Sequence, residues 1–548
     1  MTTGTVSAPR SGAGTEDEAG LGGFGWLVRS EWTKFRSVRG WIIGLIIGAL
    51  LTVLLGLFLS ANGKIACGSP GVPLRTGKAC LPYVPHGPGG EVVTDQFNFA
   101  HQPLTGNGSM TVRVTGLTGE GAGAGNQAGP QSPGANLGGG LDSWSKAGII
   151  IKQNLHQGSA YAAMMVTGSN GVRMQYNYTG DIAGLPGNVS AGSPRWLRLT
   201  RSGDTITGYD SADGRHWATV GTVELSGLPA TVQVGMFATS PTFTVSSTSF
   251  GGGTNNSGPT QATGTFDDVT VSGTPAGGRW TDTAVGGAGG PGGQGPGAPV
   301  TAGFSAAKGT YTVTGSGDIA PVIPGPGSSL PTVTIEQSLT GVFIGLIPII
   351  VVAAMFFTAE YRRGLIRTTL AATPARGQVL AAKAIVAFGA AFVTGLVACT
   401  VAIVGGVPQA ENSGAVLLTV PVLTEIRVVV GTAALLGVAA VFAVALGAVL
   451  RRSAAAITLA IVTVVMPFLL SALNVFPSGV GTWLLRVTPA AGLAIQQSIP
   501  HYPQVTALVS AANGGIYPLQ PYAGFAVVCA WAAAALVLAA YLLRRRDA

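Results

Sequence analysis

Six apolar runs of about 20 residues constrain the fold of this chain more than any other feature. At about 1.5 Å of rise per residue, a helix of that length spans the roughly 30 Å hydrocarbon core of a bilayer. Core helices of soluble proteins rarely run so far without a charge, so we expect six transmembrane helices. The runs are Trp41–Ala61, Leu339–Thr358, Ala384–Val404, Val428–Leu450, Ala454–Leu473 and Ala523–Leu543.

The distribution of basic residues predicts the orientation of these helices, because cytoplasmic loops are enriched in Lys and Arg. Fifteen basic residues lie on one side, within 1–40, 359–383, 451–452 and 544–546. The short loops on the other side carry only Arg427 and Arg486. We therefore expect a multi-pass protein of the plasma membrane with both termini in the cytoplasm.

The same topology predicts the domain boundaries. A cytoplasmic tail and interfacial helix occupy 1–40, and the first transmembrane helix occupies 41–61, which is too long and begins too late for a cleaved signal peptide. Residues 62–337 form an extracellular insertion, and 338–546 hold the remaining five helices. The net charge of +8 lies almost wholly outside the insertion, so it reflects topology and we expect no nucleic-acid partner.

The insertion has the pattern of a β-domain. Stretches such as SMTVRVTG alternate apolar with polar residues, as half-buried strands do. Turn residues separate these stretches, and Asp213–Gly214 is a typical hairpin turn. The pattern predicts an all-β sandwich over about 91–273, followed by a Gly/Pro-rich linker over about 284–332.

Three stretches of this domain, WSKAGIIIKQ, RWLRLTRSGDTITGYDSADGRHWATVG and TFDDVTVSG, resemble the concanavalin A-like jelly rolls of secreted bacterial sugar-active enzymes. The resemblance implies a jelly-roll fold and cell-envelope carbohydrate as a partner. Aromatic rings are the side chains suited to stack on sugars. The candidates are Trp144, Tyr178, Trp196 and Trp217. The favoured alternative is that these rings fill the core of the sandwich.

The insertion lacks the residue patterns of common hydrolases. Asp267 and Asp268 are neighbours on a predicted strand, so their side chains point to opposite faces and do not form the facing pair of a glycosidase. His156 and His216 have no partners at the spacing of metal ligands, and no G-x-S-x-G motif occurs. We expect no catalytic residue, no cofactor and no metal site.

The four cysteines agree with the predicted topology. Cys399 and Cys529 lie in predicted helices, where a thiol behaves as a small apolar group. Cys67 and Cys80 lie in the extracellular part, where disulfides persist, and their 13-residue separation closes easily. We expect them to form a disulfide at the base of the insertion. A metal site is the weaker alternative, because no histidine lies near the pair.

A basic segment separates the second and third apolar runs. The sequence EYRRGLIRTTLAATPARGQVLAAK, residues 360–383, holds five basic residues and one acid. Positive-inside topology explains the charge. It does not explain the order acid, aromatic, Arg, Arg, Gly, nor the proline break at Thr373–Pro374, which predicts the end of a short cytoplasmic helix.

The membrane part resembles the permease subunits of type 2 ABC exporters over about residues 24–61 and 333–546. The resemblance rests on LVRSEWTKFRSVRGWIIG, FFTAEYRRGLIRTTLAATPARGQVLAAKAIVAF and WLLRVTPAAGLAIQQSI. It implies that loop 359–383 is a coupling segment, which docks into a groove of a separate ATPase subunit. The residues implied in this contact are Glu360, Tyr361, Arg362, Arg363, Gly364, Arg367, Thr368 and Arg376. Topology alone is the alternative role for their charge.

Two flanking segments also have predicted places. The segment before the first run combines Trp with Lys and Arg, which suits a helix lying in the membrane interface. Its key residues are Trp32, Lys34, Arg36 and Arg39. Residues 480–505, which contain Pro489 and Pro500, suit short interfacial or re-entrant helices, which in the family help close the exit; a simple packed loop is the alternative.

The energy source must lie in another chain. GVPLRTGKAC is the nearest approach to the phosphate loop G-x-x-x-x-G-K-[ST], but its spacing is wrong and Ala79 replaces Ser or Thr. The six runs contain no acid that could relay protons. The resemblance implies two ATPase subunits and a second permease subunit, identical or different, within membrane lipid. The alternative from another class is a membrane-anchored protein that binds carbohydrate or senses the envelope.

Overall fold

Long apolar helices and an antiparallel β-domain divide the chain in the computed structural model. Their separation follows the sequence pattern, since period-two stretches form strands and unbroken apolar runs form helices. The structure describes residues 16–62, 66–67, 75–76, 83–121, 141–247, 254–274, 279–286, 302–324, 332–362, 364, 375–473, 475–476, 478–505 and 516–545.

In the part of the chain that the structure describes, six helical segments are long and apolar enough to cross a membrane, which confirms the predicted fold class. The helices are α1 (Glu16–Ser37), α2 (Arg39–Asn62), α3 (Val342–Arg362), α4 (Arg376–Asn412), α5 (Val422–Leu450), α6 (Ser453–Val464), α7 (Met466–Ala472), α8 (Ser478–Val487) and α9 (Pro521–Arg545). The 3-10 helices Ile335–Leu339 and Pro489–Gln496 lie at the same end of the bundle as the β-domain. We call the assembly of these helices the helix bundle.

Two of the spans differ from simple apolar rods. The fifth is divided into α6 and α7 because Pro467, in the first turn of α7, lacks the N–H that would continue the hydrogen-bond ladder. Helix α4 has 37 residues, far more than a bilayer requires, and begins eight residues before the predicted apolar run. Lys383 therefore lies about two turns inside α4, where it is fully buried.

Small residues allow the helices to approach closely. Gly44 and Gly48 of α2 face α3, and a β-carbon at Gly44 would lie 2.4 Å from Val352. Such glycines four residues apart are typical of helix pairs in membranes, where close packing replaces the hydrophobic effect. Helix α5 is the most enclosed of the spans. In its most apolar stretch 78% of the residues are buried, against 22% in those of α2 and α9. The exposed faces of α2 and α9 therefore form the apolar outer surface of the bundle.

The β-domain contains one large antiparallel sheet system. Its strands are β3 (Val93–Asp95), β4 (Phe97–Gly121), β5 (Lys146–Lys152), β6 (Tyr161–Thr167), β7 (Val172–Tyr176), β8 (Gly180–Ala183), β9 (Arg195–Ser202), β10 (Thr205–Ser211), β11 (Ala218–Glu224), β12 (Thr231–Thr239), β13 (Phe243–Ser247), β14 (Thr254–Gly258), β15 (Thr260–Thr274), β16 (Thr281–Val285), β17 (Gly303–Ala307), β18 (Thr310–Gly315) and β19 (Ile319–Pro321). The large sheet comprises β4–β12 and β15–β18, whereas β3 pairs separately with β19 and β13 with β14. The short pairs β1 (Ala66–Cys67) with β2 (Arg75–Thr76), and β20 (Thr332–Val333) with β21 (Val416–Leu417), also lie outside it.

Strand β4 joins the two layers of the sandwich. Its 25 residues pair first with β12 and β16, and then with β9 and β15. The layers meet where Gly208 of β10 lies against Met164 of β6, since a β-carbon at Gly208 would stand 2.6 Å from the sulfur. Apolar residues from both layers, such as Val112 and Ile149, are fully buried between them. The predicted β-sandwich is thus present, and the Asp213–Gly214 turn connects β10 with β11.

Strands continue beyond the predicted sandwich boundary at residue 273. Strands β17 and β18, within the 284–332 segment expected to be a linker, pair with each other and extend the sheet from β15. Their turn is Lys308–Gly309, in which both residues have positive φ, as a two-residue hairpin requires. Glycine-rich surroundings obscured this hairpin, because composition alone does not distinguish a tight turn from a flexible chain.

The β-domain enters and leaves the bundle through paired strands. Strand β19 pairs with β3, with Ile319 opposite Asp95, so the two ends of the domain lie side by side. Below them, Val92 and Val322 share a small core with Val416 and Ile499 of the bundle. We call β3, β19 and their flanking residues the neck.

Candidate functional site

Four charged side chains meet at the end of the bundle opposite the β-domain. Lys383 Nζ of α4 donates hydrogen bonds to Glu31 Oε2 of α1 at 2.6 Å and to Glu360 Oε1 of α3 at 2.7 Å. Lys34 Nζ donates to Glu31 Oε1 at 2.6 Å and lies 3.5 Å from Glu360 Oε1. We call these four residues the ionic cluster. It joins α1 to α3 and α4, the two helices that flank the basic segment in sequence.

Local sequence spacing brings the four groups together. On α1, Glu31 and Phe35 are four residues apart and therefore face the bundle together, while Trp32 and Arg36 point away from it. Glu360 is two residues before the end of α3, and Lys383 is two turns into α4. An antiparallel α3–α4 pair then places both residues at one level.

Aromatic rings shield the buried members of the ionic cluster, Lys383 and Glu31, from solvent. Lys383 Nζ lies 4.5 Å from the centroid of the Phe356 ring. The Phe356 ring packs edge-on against the rings of Phe35 and Trp41, with centroid distances of 5.1 and 5.2 Å. Such rings favour a nearby cation through their negative faces. Lys383 and Glu31 have no exposed side-chain surface, so their charges interact in a medium of low polarity.

The cluster balances two carboxylates against two ammonium groups. Buried charges without partners are strongly disfavoured, so each member requires the others. Burial tends to lower the pKa of Lys34, but its hydrogen bond and proximity to Glu31 and Glu360 outweigh this effect and raise the pKa. Lys34 is half exposed and adds less energy than Lys383.

A second set of contacts surrounds the cluster. Tyr361 lies under the guanidinium of Arg451, which follows α5, at 5.1 Å from the ring centroid. Arg376 Nη1 donates to the carbonyl of Leu543, near the end of α9, at 2.8 Å. These contacts connect α3 and α4 to the remaining helices at this end. The ends of α3 and α4 are therefore fixed to the other helices of the bundle.

The structure places part of the predicted coupling set. Glu360 belongs to the ionic cluster, Tyr361 contacts Arg451, and Arg376 donates to the Leu543 carbonyl of α9. Gly364 is exposed and has a φ of 67°, as glycine after a helix end commonly has. Arg362 ends α3, and its side chain is outside the described part. Arg363, Arg367 and Thr368, together with the predicted short helix and its Thr373–Pro374 break, also lie outside the described residues.

The interfacial residues lie on or next to α1. Trp32 is 45% exposed and stacks on Phe35, with centroids 6.1 Å apart. Arg36 and Arg39 are exposed, and Lys34 extends from α1 as a member of the ionic cluster. One helix thus presents aromatic and basic groups outward while its other face carries the buried Glu31.

Sequence reasoning missed Glu31 and assigned Lys383 no role beyond the start of a helix. A usable signal was present, because each is a lone charge in an unsuitable setting. Glu31 is the single acid within residues 24–40, which are otherwise rich in basic and aromatic residues, and Lys383 is the single lysine of a long apolar helix. Lone charges of opposite sign in such segments are expected to pair when buried.

The aromatic candidates of the β-domain have different surroundings. Trp144 and Tyr178 are buried, at 7% and 0% exposure, so neither presents a ring face to solvent. Trp196 and Trp217 are partly exposed, but guanidinium groups cover them: Arg113 lies 5.7 Å from the Trp196 centroid, and Arg198 lies 3.9 Å from that of Trp217. Tyr178 instead donates its hydroxyl to Asp95 at 2.7 Å.

The remaining site predictions concern cysteines and metals. Cys399 of α4 and Cys529 of α9 are free thiols within helices. The Cys67–Cys80 disulfide is a prediction that involves Cys80, which lies outside the described residues. Within the described ranges, no group of three or more His, Cys, Asp or Glu side chains is placed to hold a metal ion.

Among solved structures, the chain is similar to three proteins at low identity. The GH43 BlXynB protein from Bacillus licheniformis is 17% identical over 24% of each chain, with a TM-score of 0.17. A functionally unknown protein from Saccharomyces cerevisiae is 15% identical over 41% of this chain and 97% of that one, with a TM-score of 0.19. Scytalido-glutamic peptidase is 10% identical over 40% and 98%, with a TM-score of 0.21. The chain spans about a quarter of the first protein, and these values assign no activity.

The family comparison bears on the membrane part. No curated protein matches the chain. The model of the family described as "ABC-2 family transporter protein" matches residues 178–548, which include five of the six spans and the ionic-cluster residues Glu360 and Lys383. Its members are transmembrane subunits of ABC transporters without a catalytic role of their own. This multi-pass membrane protein, with its large β-domain, therefore belongs to the ABC-2 family of transporter proteins and is an ABC permease subunit.

Proposed function

We propose that this permease subunit exports a cargo with energy from a separate ATPase, which engages the segment between α3 and α4. The observation that carries the proposal is the ionic cluster. It fixes α1, α3 and α4 to one another on both sides of residues 363–375. A force on this segment would consequently displace three helices together rather than bend one loop.

The mechanism is a population shift between inward-open and outward-open states. Two ATPase subunits approach each other when they bind ATP and pull on the coupling segments of two permease subunits. The ionic cluster passes this displacement to α3 and α4. Helix α5, which is enclosed by the others, then changes its packing and opens a path. The subunits pair through their apolar outer surfaces, the rest of which contacts membrane lipid.

The proposed orientation places the ionic cluster in the cytoplasmic leaflet and the β-domain outside the cell. The supporting observation is that basic residues gather at the cluster end, where Arg39, Arg451 and Arg544 lie at helix ends. In a variant without native cysteines, Ser305→Cys in the β-domain should react with a membrane-impermeant maleimide in intact cells. Arg452→Cys should react only after permeabilisation, and the opposite pattern would invert the topology.

Co-purification tests the ATPase contact. The tagged chain, isolated in mild detergent from its native host, should bring down a stoichiometric protein that carries a phosphate loop. Arg363→Glu should abolish this association while membrane insertion is unchanged, because the charge reversal lies in the coupling segment. Arg452→Glu is the matched control, since it reverses a charge at the same end outside that segment. Normal association of the Arg363 variant would remove Arg363 from the contact.

A further inference from the structure

Residues 497–505, which we call the strap, cross the end of the bundle nearest the β-domain. They follow the fully buried 3-10 helix Pro489–Gln496 and contact both parts of the protein. Polar contacts with three separate elements hold the strap. Each contact is buried or partly buried, although this end carries few charges.

The first two contacts fix the strap to the bundle. Glu336, at the start of the second span, accepts hydrogen bonds from the Ser498 hydroxyl and, at 3.3 Å, from the Ser498 backbone N–H. Arg427 of α5 donates from Nη2 to the carbonyl of Gln497 at 2.6 Å. Glu336 is only 5% exposed, so its carboxylate depends on these donors in place of water.

The third contact fixes the strap to the β-domain. Gln504 is 1% exposed, and its Nε2 donates to the carbonyl oxygens of Tyr178 at 2.9 Å and Thr179 at 3.3 Å. Both carbonyls belong to the β7–β8 turn. The donor and its acceptors are 326 and 325 residues apart in sequence, so this contact exists only when the β-domain rests on the bundle.

The turn that receives Gln504 is held in an unusual conformation. Asn177 and Tyr178 have φ values of 43° and 62°, in the left-handed region that bulky residues rarely adopt. The Tyr178 hydroxyl donates to Asp95 Oδ2 of the neck at 2.7 Å, and Lys152 pairs with the same oxygen at 2.7 Å. The Tyr178 ring thus anchors the turn in the neck while its carbonyl faces the strap.

Apolar contacts continue the same interface. Ile499 of the strap packs in the core that includes Val92 and Val322 of the neck. Tyr502 lies near Glu91. Burial raises the pKa of Tyr502, and the nearby Glu91 carboxylate adds a smaller increase. Strap, neck and turn therefore form one buried contact.

We propose that the β-domain locks the strap over the outer end of the transport path. Gln504 and the β7–β8 turn around Tyr178 form the lock, which opens when the permease adopts the outward-open state. The proposal rests on the proposed export function. Glu336 and Arg427 are positioning residues, because they hold the strap where the Gln504 side chain can reach the β7–β8 turn. A β-domain that can hold or release the strap can regulate transport from outside the bundle.

Cross-linking in the purified permease–ATPase complex tests the lock. Gln504→Cys paired with Thr179→Cys should be bridged by a short bis-methanethiosulfonate, which replaces the reach of the glutamine side chain. Trapping with ATP and vanadate should lower the cross-linking yield by about fivefold or more, the smaller end of common allosteric factors. The matched control is Ser109→Cys with Ser272→Cys, whose native hydroxyl oxygens lie 2.8 Å apart within the β-domain. Its yield should stay constant.

The ATPase rate of the bridged complex is the second measurement. Bridging residues 504 and 179 should suppress ATP turnover reversibly, with recovery after reductant, whereas the control bridge should leave turnover intact. Unchanged yield under trapping, or full turnover of the bridged complex, would overturn the lock. Absence of a co-purifying ATPase, or of turnover before bridging, would instead contradict the proposed export function.

Discussion

Two buried lysines, one in the bundle and one in the β-domain, are held by different means. Lys383 bonds to two carboxylates from two other helices and rests on an aromatic ring. Lys152 bonds to one carboxylate, Asp95, and also to the Tyr178 hydroxyl and the Ser159 carbonyl. In the bundle the partners are charges on separate elements. In the β-domain most partners are neutral groups on paired strands or their connecting turns.

This difference predicts how each site responds to change. Asp95 keeps the Tyr178 hydroxyl and the Gly158 N–H as donors if Lys152 is lost. Glu31 and Glu360 would both lose their buried cationic partner if Lys383 were lost, and only the half-exposed Lys34 would remain beside them. The β-domain site therefore suits a rigid anchor, whereas the ionic cluster suits a joint that must hold or move as a unit.

The largest effect is expected from Lys383→Met. Loss of the ammonium leaves two carboxylates with only the half-exposed Lys34 as a cationic partner, which should lower the stability of the bundle by about 5 kcal/mol, the upper range for a broken buried pair. Thermal unfolding in detergent should show the loss. Adding Glu31→Gln should recover part of it, because one carboxylate is removed. Lys308→Met, at an exposed turn, is the control, and equal melting of the two lysine variants would contradict the role of the cluster.

A smaller effect is expected from Lys152→Met in the β-domain. The cost should be about 3 kcal/mol, the lower range for a broken buried pair, because Asp95 retains two neutral donors. Limited proteolysis of the full chain should detect earlier opening of the β-domain. Arg215→Met, in the exposed β10–β11 loop, serves as the control. A loss as large as that of Lys383→Met would erase the distinction between the two sites.

The sequence predicted elements better than it predicted partners. Apolar length identifies the spans, because a bilayer requires about 20 residues per helix, and alternation identifies most strands. Glu31 and Lys383, by contrast, are 352 residues apart, and no local pattern specifies which distant charge a buried lysine meets. The β17–β18 hairpin was missed for the opposite reason. Its local signal, a Lys308–Gly309 turn between alternating stretches, was hidden by glycine-rich neighbours.

Tyr178 shows the limit of reasoning from residue type. An aromatic residue in a sandwich suits either a sugar site or the core, and the sequence leaves both readings open. The structure buries its ring in a core of the β-domain, as the favoured alternative expected, and also places it at a left-handed turn with its hydroxyl on Asp95 and its carbonyl on Gln504. A backbone conformation of this kind depends on the surrounding fold, so composition and periodicity do not indicate it.

A contact between the two regions should be weaker than either buried lysine site. Gln504→Ala removes one donor from two carbonyls, which should speed amide exchange across 497–505 by about tenfold, or about 1.4 kcal/mol. Hydrogen exchange with mass spectrometry measures this change. Gln520→Ala, exposed near the same end, is the control. Exchange that is unchanged at the strap would mean that Glu336 and Arg427 hold it without the β-domain.

The smallest effect on stability should come from the titration of His101, and it should appear only when the pH is varied. Its ring bonds to Gln233 at 2.8 Å and Thr283 at 3.1 Å, and burial lowers its pKa, although the Gln233 bond partly opposes the change. Below the ordinary value of 6.5 the unfolded chain binds a proton that the folded chain does not, so stability falls as the pH falls toward the lowered pKa. His101→Gln should flatten this part of the melting profile. A profile that remains sloped would assign the pH response to another group, whereas a flat one would show that the β-domain carries a weak titrating site apart from its Asp95–Lys152 anchor.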